Sequence, residues 1–140
     1  MIPVNYLAVL VAAVAYFIIG FLFHGPLFGK TWMKLANVTP TGNEKFSDMY
    51  GQMFWNFVSN LVCAYVLAAM YLLASTSSLM ASSSGISGGL ITGFWVWLGF
   101  VVTSSSMEVI WMKRSYKLWM FEMFASLVSI LVMGAIIAAW

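Results

Sequence analysis

A chain of 140 residues that is 63% hydrophobic and only 7% charged has too few charged groups to cover a soluble globule, so lipid is its expected solvent. The net charge is +2, but all six Lys and Arg fall in two short connections, where orientation in a bilayer accounts for them and nucleic acid is not an expected partner. The lone cysteine, Cys63, sits in an apolar run and excludes an intrachain disulfide or a cysteine-based metal site.

Taken in order, the apolar run over residues 4–23 comes first. At about 1.5 Å per residue it is long enough to span about 30 Å of hydrocarbon. No Lys or Arg precedes it, so it is expected to be a retained helix and not a removable signal. Ala8, Ala12, Tyr16, Gly20 and His24 recur every four residues, a narrow small and polar stripe that should face protein, with Leu7, Val11, Val14, Ile18, Phe21 and Leu22 toward lipid. Gly25 and Pro26 should stop the helix, because proline lacks the amide donor and disfavours helical dihedrals before it. A short helix should follow, lying at the membrane interface with Leu27, Phe28, Trp32 and Leu35 on one side and Lys30 and Lys34 on another. Residues 37–43 (NVTPTGN) carry turn chemistry, and Thr41 with Glu44 fits a capping box for the next helix.

The second span is expected over residues 52–74, with Gln52, Asn56, Asn60, Ala64 and Ala68 on one face. Amides inside a membrane helix are costly unless partnered, so this face too should meet protein. The serine-rich, uncharged connection over residues 75–87 is expected to be flexible. The third span, residues 87–107, opens with Gly85, Gly89 and Gly93, a spacing that lets another backbone approach and suits helix packing or an oligomer interface. It ends in Thr103, Ser104, Ser105 and Ser106, whose hydroxyls can bond their own preceding carbonyls. The fourth span, residues 118–139, places Glu122, Ser126 and Ser129 on one polar side. The fold class is therefore all-α, an integral membrane four-helix bundle with a short interfacial helix after the first span, in a single transmembrane domain.

Charge counting sets the expected orientation. Lys30, Lys34 and Lys45 lie in the first connection and Lys113, Arg114 and Lys117 in the third, which puts both basic loops in the cytoplasm and both termini outside the cell membrane. The same counting brings His24, Glu108 and Glu122 to one end of the bundle, where they could relay protons or simply form ion pairs with Lys113, Arg114 or Lys117. With Asn56 and Asn60 they form a candidate proton or solute path. No catalytic residue is assigned: a serine from the run at 104–106 with His24 and Glu108 can be drawn as a triad, but spacing alone does not assemble one. A single histidine offers no metal-ligand array, and no cofactor is expected.

The start MIPVNYLAVLVAAVA, the segment HGPLFGKTWM with the following TP, and the later LGFVVT, RSYKLW and MGAIIAAW resemble the domain-of-unknown-function family number 1761. The resemblance covers nearly the whole chain, its most specific part being GPLFGK followed by Trp32. It implies small four-span membrane proteins without an assigned activity. It also implies a bulky aromatic where His24 stands and a polar amide near Glu122, so this chain departs from the family pattern at two of its ionisable candidates.

Two classes of function fit. One is a homo-oligomeric channel or transporter for protons or a small solute, its subunits meeting through the glycine face. The alternative is a structural or accessory subunit of a larger membrane complex with no chemistry of its own. Membrane lipids are partners in both.

Overall fold

The computed structural model describes residues 3–77 and 83–140. The described chain is helical: α1 (Tyr6–Leu22), α2 (Gly29–Ala36), α3 (Tyr50–Ser75), α4 (Ile86–Val96), α5 (Thr103–Ile110) and α6 (Tyr116–Ala139). Among the described residues four stretches are long and apolar enough to cross a membrane: Tyr6–Leu27, Phe46–Ser75, Ile86–Ile110 and Tyr116–Ala139. The protein is a multi-pass, all-α membrane protein. The connection expected to be flexible includes residues 78–82, which lie outside the described residues.

Local chemistry sets the helix ends. The Asn5 side chain accepts from the amides of Leu7 and Ala8 at 3.0 and 3.2 Å, satisfying two donors that the first turn leaves free. Gly25 departs from helical dihedrals (φ −120°, ψ −106°), and a wide π-type turn over Phe23–Leu27 bends the chain before Pro26 hands on to α2. α2 ends on Asn37 in the left-handed region, with the Val38 amide bonded to the Met33 carbonyl. The Glu44 carboxylate does accept from Thr41, but this closes a loop turn. The next helix starts at a 3-10 turn, Phe46–Met49, where Asp48 accepts from the Lys45 amide. A second π-type turn, Trp97–Val102, joins α4 to α5.

The spans form an up-and-down bundle. α1 packs on α3 and α6, α4 packs on the same two helices, and α3 touches α6 across the middle. Chain direction therefore collects the connections after α1 and before α6 and the first turn of α6, with all six basic residues, at one end, called here the basic end. The core lies in the far half: Val9, Ala12 and Ala13 of α1, Ala64, Leu67 and Ala68 of α3, Ile130 and Met133 of α6. Lipid tails offer no hydrophobic drive for helices to associate, so close van der Waals contact must hold this region, and small side chains permit it. The closest approach is between α4 and α6, where a Cβ on Gly89 would collide with the Gly134 carbonyl and one on Gly93 would lie 3.1 Å from the Ile130 carbonyl. Gly89 and Gly93 are thus buried inside the chain, whereas Gly85 precedes α4 with nothing within 4 Å of where its Cβ would be. Leu7, Val11, Val14, Ile18 and Phe21 of α1 point outward, while Leu22 is half-buried.

Candidate functional site

The basic half of the bundle is built differently. A cavity of about 500 Å³ lies there between α1 and α3, with Glu122 of α6 in its wall. The polar faces read from the sequence line it: Tyr16 and His24 from α1 and its bend, Gln52, Asn56 and Asn60 from α3. Phe17 and Phe21 form part of the apolar wall.

His24 and Glu122, 98 positions apart, meet at 3.0 Å between Nε2 and Oε2. The other ring nitrogen of His24, Nδ1, lies 2.8 Å from the Gly20 carbonyl, which can only accept, so Nδ1 carries a proton and donates. One further proton must then lie between Nε2 and Oε2, on an imidazolium facing a carboxylate or on a carboxylic acid facing neutral imidazole. The pair is neutral in both forms, and the proton can pass from one partner to the other without a change in net charge. The second carboxyl oxygen, Oε1, accepts from the indole nitrogen of Trp32 at 3.0 Å.

That indole comes from α2, and its arrival depends on the bend. The chain turns at Gly25 and Pro26, so that α2 folds back against α6. Gly29 is required at the start of α2, since a Cβ there would lie 2.9 Å from the His24 carbonyl. His24 meets the rings of Trp32 and Phe121 edge to face, at centroid distances of 5.5 and 5.9 Å. Phe23 meets the rings of Phe28 and Phe121 at a tilt and that of Phe124 edge to face beside it. The aromatic collar tightens the hydrogen bonds by keeping water from part of the pair, whose side chains remain about a third exposed toward the cavity.

Glu108 is not part of this cluster. Its carboxylate pairs with Arg114 on the exposed rim, and the Arg114 amide bonds the Glu108 carbonyl at 3.1 Å, closing the turn between α5 and α6. Of the three ionisable groups expected at this end, the structure brings two into contact. Arg114 goes to Glu108 and His24 serves Glu122. Trp32, read from the sequence as an interfacial side chain, is a direct partner of the carboxylate; the signal available was its position eight residues after His24, across a Gly-Pro bend.

The hydroxyls satisfy themselves locally. Thr103, Ser104, Ser105 and Ser106 donate to carbonyls one turn back. Ser105 also accepts from the Trp119 indole, and Ser126 from the Trp97 indole, both at 3.0 Å. Thr92 and Ser129 bond Gly88 and Ala125 carbonyls at 2.8 Å. Among the described residues no serine reaches His24, and no group of three or more His, Cys, Asp or Glu is placed to hold a metal ion. Asn60 stands apart. It is 6% exposed, and its amide nitrogen Nδ2 has no hydrogen-bond partner among the described residues.

No curated protein and no solved structure matches the chain. A family model described as protein of unknown function (DUF1761) matches residues 7–138. With the four long apolar helices of the fold, that near-complete match places the chain in this family of proteins of unknown function.

Proposed function

We propose that the protein is a proton-linked transporter for a small solute, with both basic connections in the cytoplasm and both termini outside. The observation that carries this reading is the cavity in the basic half, which has a neutral His24–Glu122 pair in its wall and reaches along the bundle no further than Tyr16 and Asn60. A site confined to one half of the bundle, with a packed core in the other, suits a carrier, whereas a channel needs a path along the whole bundle. One bundle of four spans has little room to open on the far side by itself, so the working unit in this reading is a homo-oligomer. Gly89 and Gly93 are already occupied by α6, which leaves the subunit contact to other faces. Orientation rests on the clustering of Lys and Arg in two connections.

The test is purified protein in liposomes with a trapped pH-sensitive dye and an imposed pH gradient. The reading expects the wild type to dissipate the gradient and Glu122→Gln, which keeps the shape and the hydrogen-bonding capacity but loses the shared proton, to be inactive while still folded. Native mass spectrometry of protein released from its own membrane gives an independent arm. A homo-oligomer of fixed number agrees with the proposal; a complex with a different membrane protein, together with no proton movement, favours the accessory role.

A further inference from the structure

Among the described residues the wall of the cavity holds one carboxylate and no Lys or Arg. Both ring nitrogens of His24 are engaged, Nδ1 by the Gly20 carbonyl and Nε2 by Glu122. Each oxygen of Glu122 takes part in one bond, with His24 or with Trp32, and a carboxylate oxygen has room to accept a second. The His24 and Glu122 side chains keep 34% and 27% of their surface accessible and both belong to the wall, so a molecule in the cavity can reach the pair. The unused capacity of this wall is that of a carboxylate acceptor beside a shared proton.

Charge decides what can use that capacity. An anion finds no free cationic donor in the wall, and a neutral solute gives the shared proton no reason to leave, since a ligand moves a proton equilibrium only by favouring one of its states. A monocation does both jobs. Added to the neutral pair it would leave a net positive charge inside the bilayer, which departure of the shared proton cancels. The neighbouring groups do not alter this count. Tyr16 of α1 and Cys63 of α3 ordinarily carry no charge at neutral pH, and Arg114 before α6 is engaged by Glu108. Lys30, Lys34, Lys45, Lys113 and Lys117 are exposed and outside the wall, where salt screens them beyond about 8 Å. The rest of the wall selects among cations. Among the described residues no three His, Cys, Asp or Glu gather to hold a metal ion. Tyr16, Phe17, Phe21 and Phe46 present aromatic surface, which suits an organic cation with an apolar body. At about 500 Å³ the cavity is comparable to ordinary small-molecule sites, which run from about 300 to about 1,000 Å³.

We propose that this cavity binds a protonated amine with an apolar body, its ammonium group taking the Glu122 carboxylate in exchange for the proton that His24 shares with it. That proton leaves to water, whichever partner held it. The neutral ring keeps its Nδ1–H on the Gly20 carbonyl, and the bare Nε2 becomes an acceptor for a second N–H of the ammonium group or for water. One positive charge enters and one departs, so the cavity stays neutral. The proposal rests on the transport reading and names its solute: with both in force, the protein exchanges one amine cation for one proton.

Isothermal titration calorimetry of the full chain in phosphatidylcholine nanodiscs at neutral pH, corrected by protein-free discs, tests it. Three probes of similar shape differ in charge: 2-phenylethylamine is a cation at this pH, 2-phenylethanol is neutral and 3-phenylpropanoate is an anion. Titrations in two buffers of different ionisation enthalpy count the protons released. The expected result is saturable binding of the amine at least about tenfold tighter than the other two, the difference a charge-assisted hydrogen bond makes, with about one proton released per amine bound. Glu122→Gln should lower the amine's affinity about tenfold, to that of 2-phenylethanol, and abolish the proton release while circular dichroism stays unchanged. The proposal is overturned if 2-phenylethanol or 3-phenylpropanoate binds as tightly as the amine, if the amine does not exceed protein-free discs, if it binds without releasing a proton, or if a folded Glu122→Gln binds it as the wild type does. Should Glu122→Gln not fold, the three probes and the proton count on the wild type decide alone. Amine binding with proton release in a protein that moves no protons in liposomes retains this site and removes the transport reading; proton movement without amine binding does the reverse.

Discussion

Glu122 is held from two directions, by the His24 ring and by the Trp32 indole, and each bond can be removed separately. His24→Ala leaves one carboxyl oxygen without its partner in a half-buried setting and is expected to cost about 1–3 kcal/mol. Thermal unfolding in mild detergent measures this, and Glu122→Gln in the same assay should stay within about 1 kcal/mol of wild type, because an amide can still accept from Trp32 and donate to a neutral imidazole. Equal destabilisation of the two variants would show that the pair acts as a fixed ion pair. Both ionisable residues stood out in the sequence because charged groups near the end of an apolar span demand a reason. Their partner Trp32 did not, since Trp at a membrane edge is common and its bond to Glu122 joins residues 90 positions apart. Glu108 was drawn into the same group by depth alone; depth does not encode which neighbour a side chain meets, and Arg114, six residues on, meets it first.

At the scale of elements, two glycines in small-residue stripes have opposite surroundings. A Cβ on Gly20 would meet nothing within 4 Å, whereas one on Gly89 would run into the Gly134 backbone, which cannot swing aside as a side chain does. Gly20→Ala is therefore expected to leave stability within about 0.5 kcal/mol, and Gly89→Ala to cost about 1–3 kcal/mol by forcing α4 away from α6. Chemical denaturation of the two variants side by side checks this, and a neutral Gly89→Ala would mean that the two helices are not in backbone contact. The short α2 gives a third case. Trp32→Phe retains the ring contact with His24 but loses the indole donor, so amide hydrogen exchange across Gly29–Ala36 should quicken while α3 and α4 keep their protection. The buried face of α1 was legible in the sequence, because a spacing of four on a straight helix is a direct statement about one side. The glycine run of the third span announced a close approach without naming the partner, which is fixed by the bundle as a whole and proves to be α6.

Across the whole molecule the spans divide into a tight half and an open one. Small residues from α1, α3, α4 and α6 close the half that carries the termini, while the basic half opens between α1 and α3 around amides, a histidine and a carboxylate. Four apolar segments and their polar stripes could be read in the sequence, but this division could not, because it arises from how the helices pack on one another along their length. The most direct test of the account is cysteine accessibility on a Cys63→Ser background, with Gln52→Cys and Asn56→Cys probed in oriented vesicles by a charged thiol reagent that does not cross membranes. The account predicts modification from the side of the basic connections and protection from the other. Modification from both sides would show a path through the bundle, modification from neither would show a sealed interior, and either result would contradict a carrier site reached from the basic end.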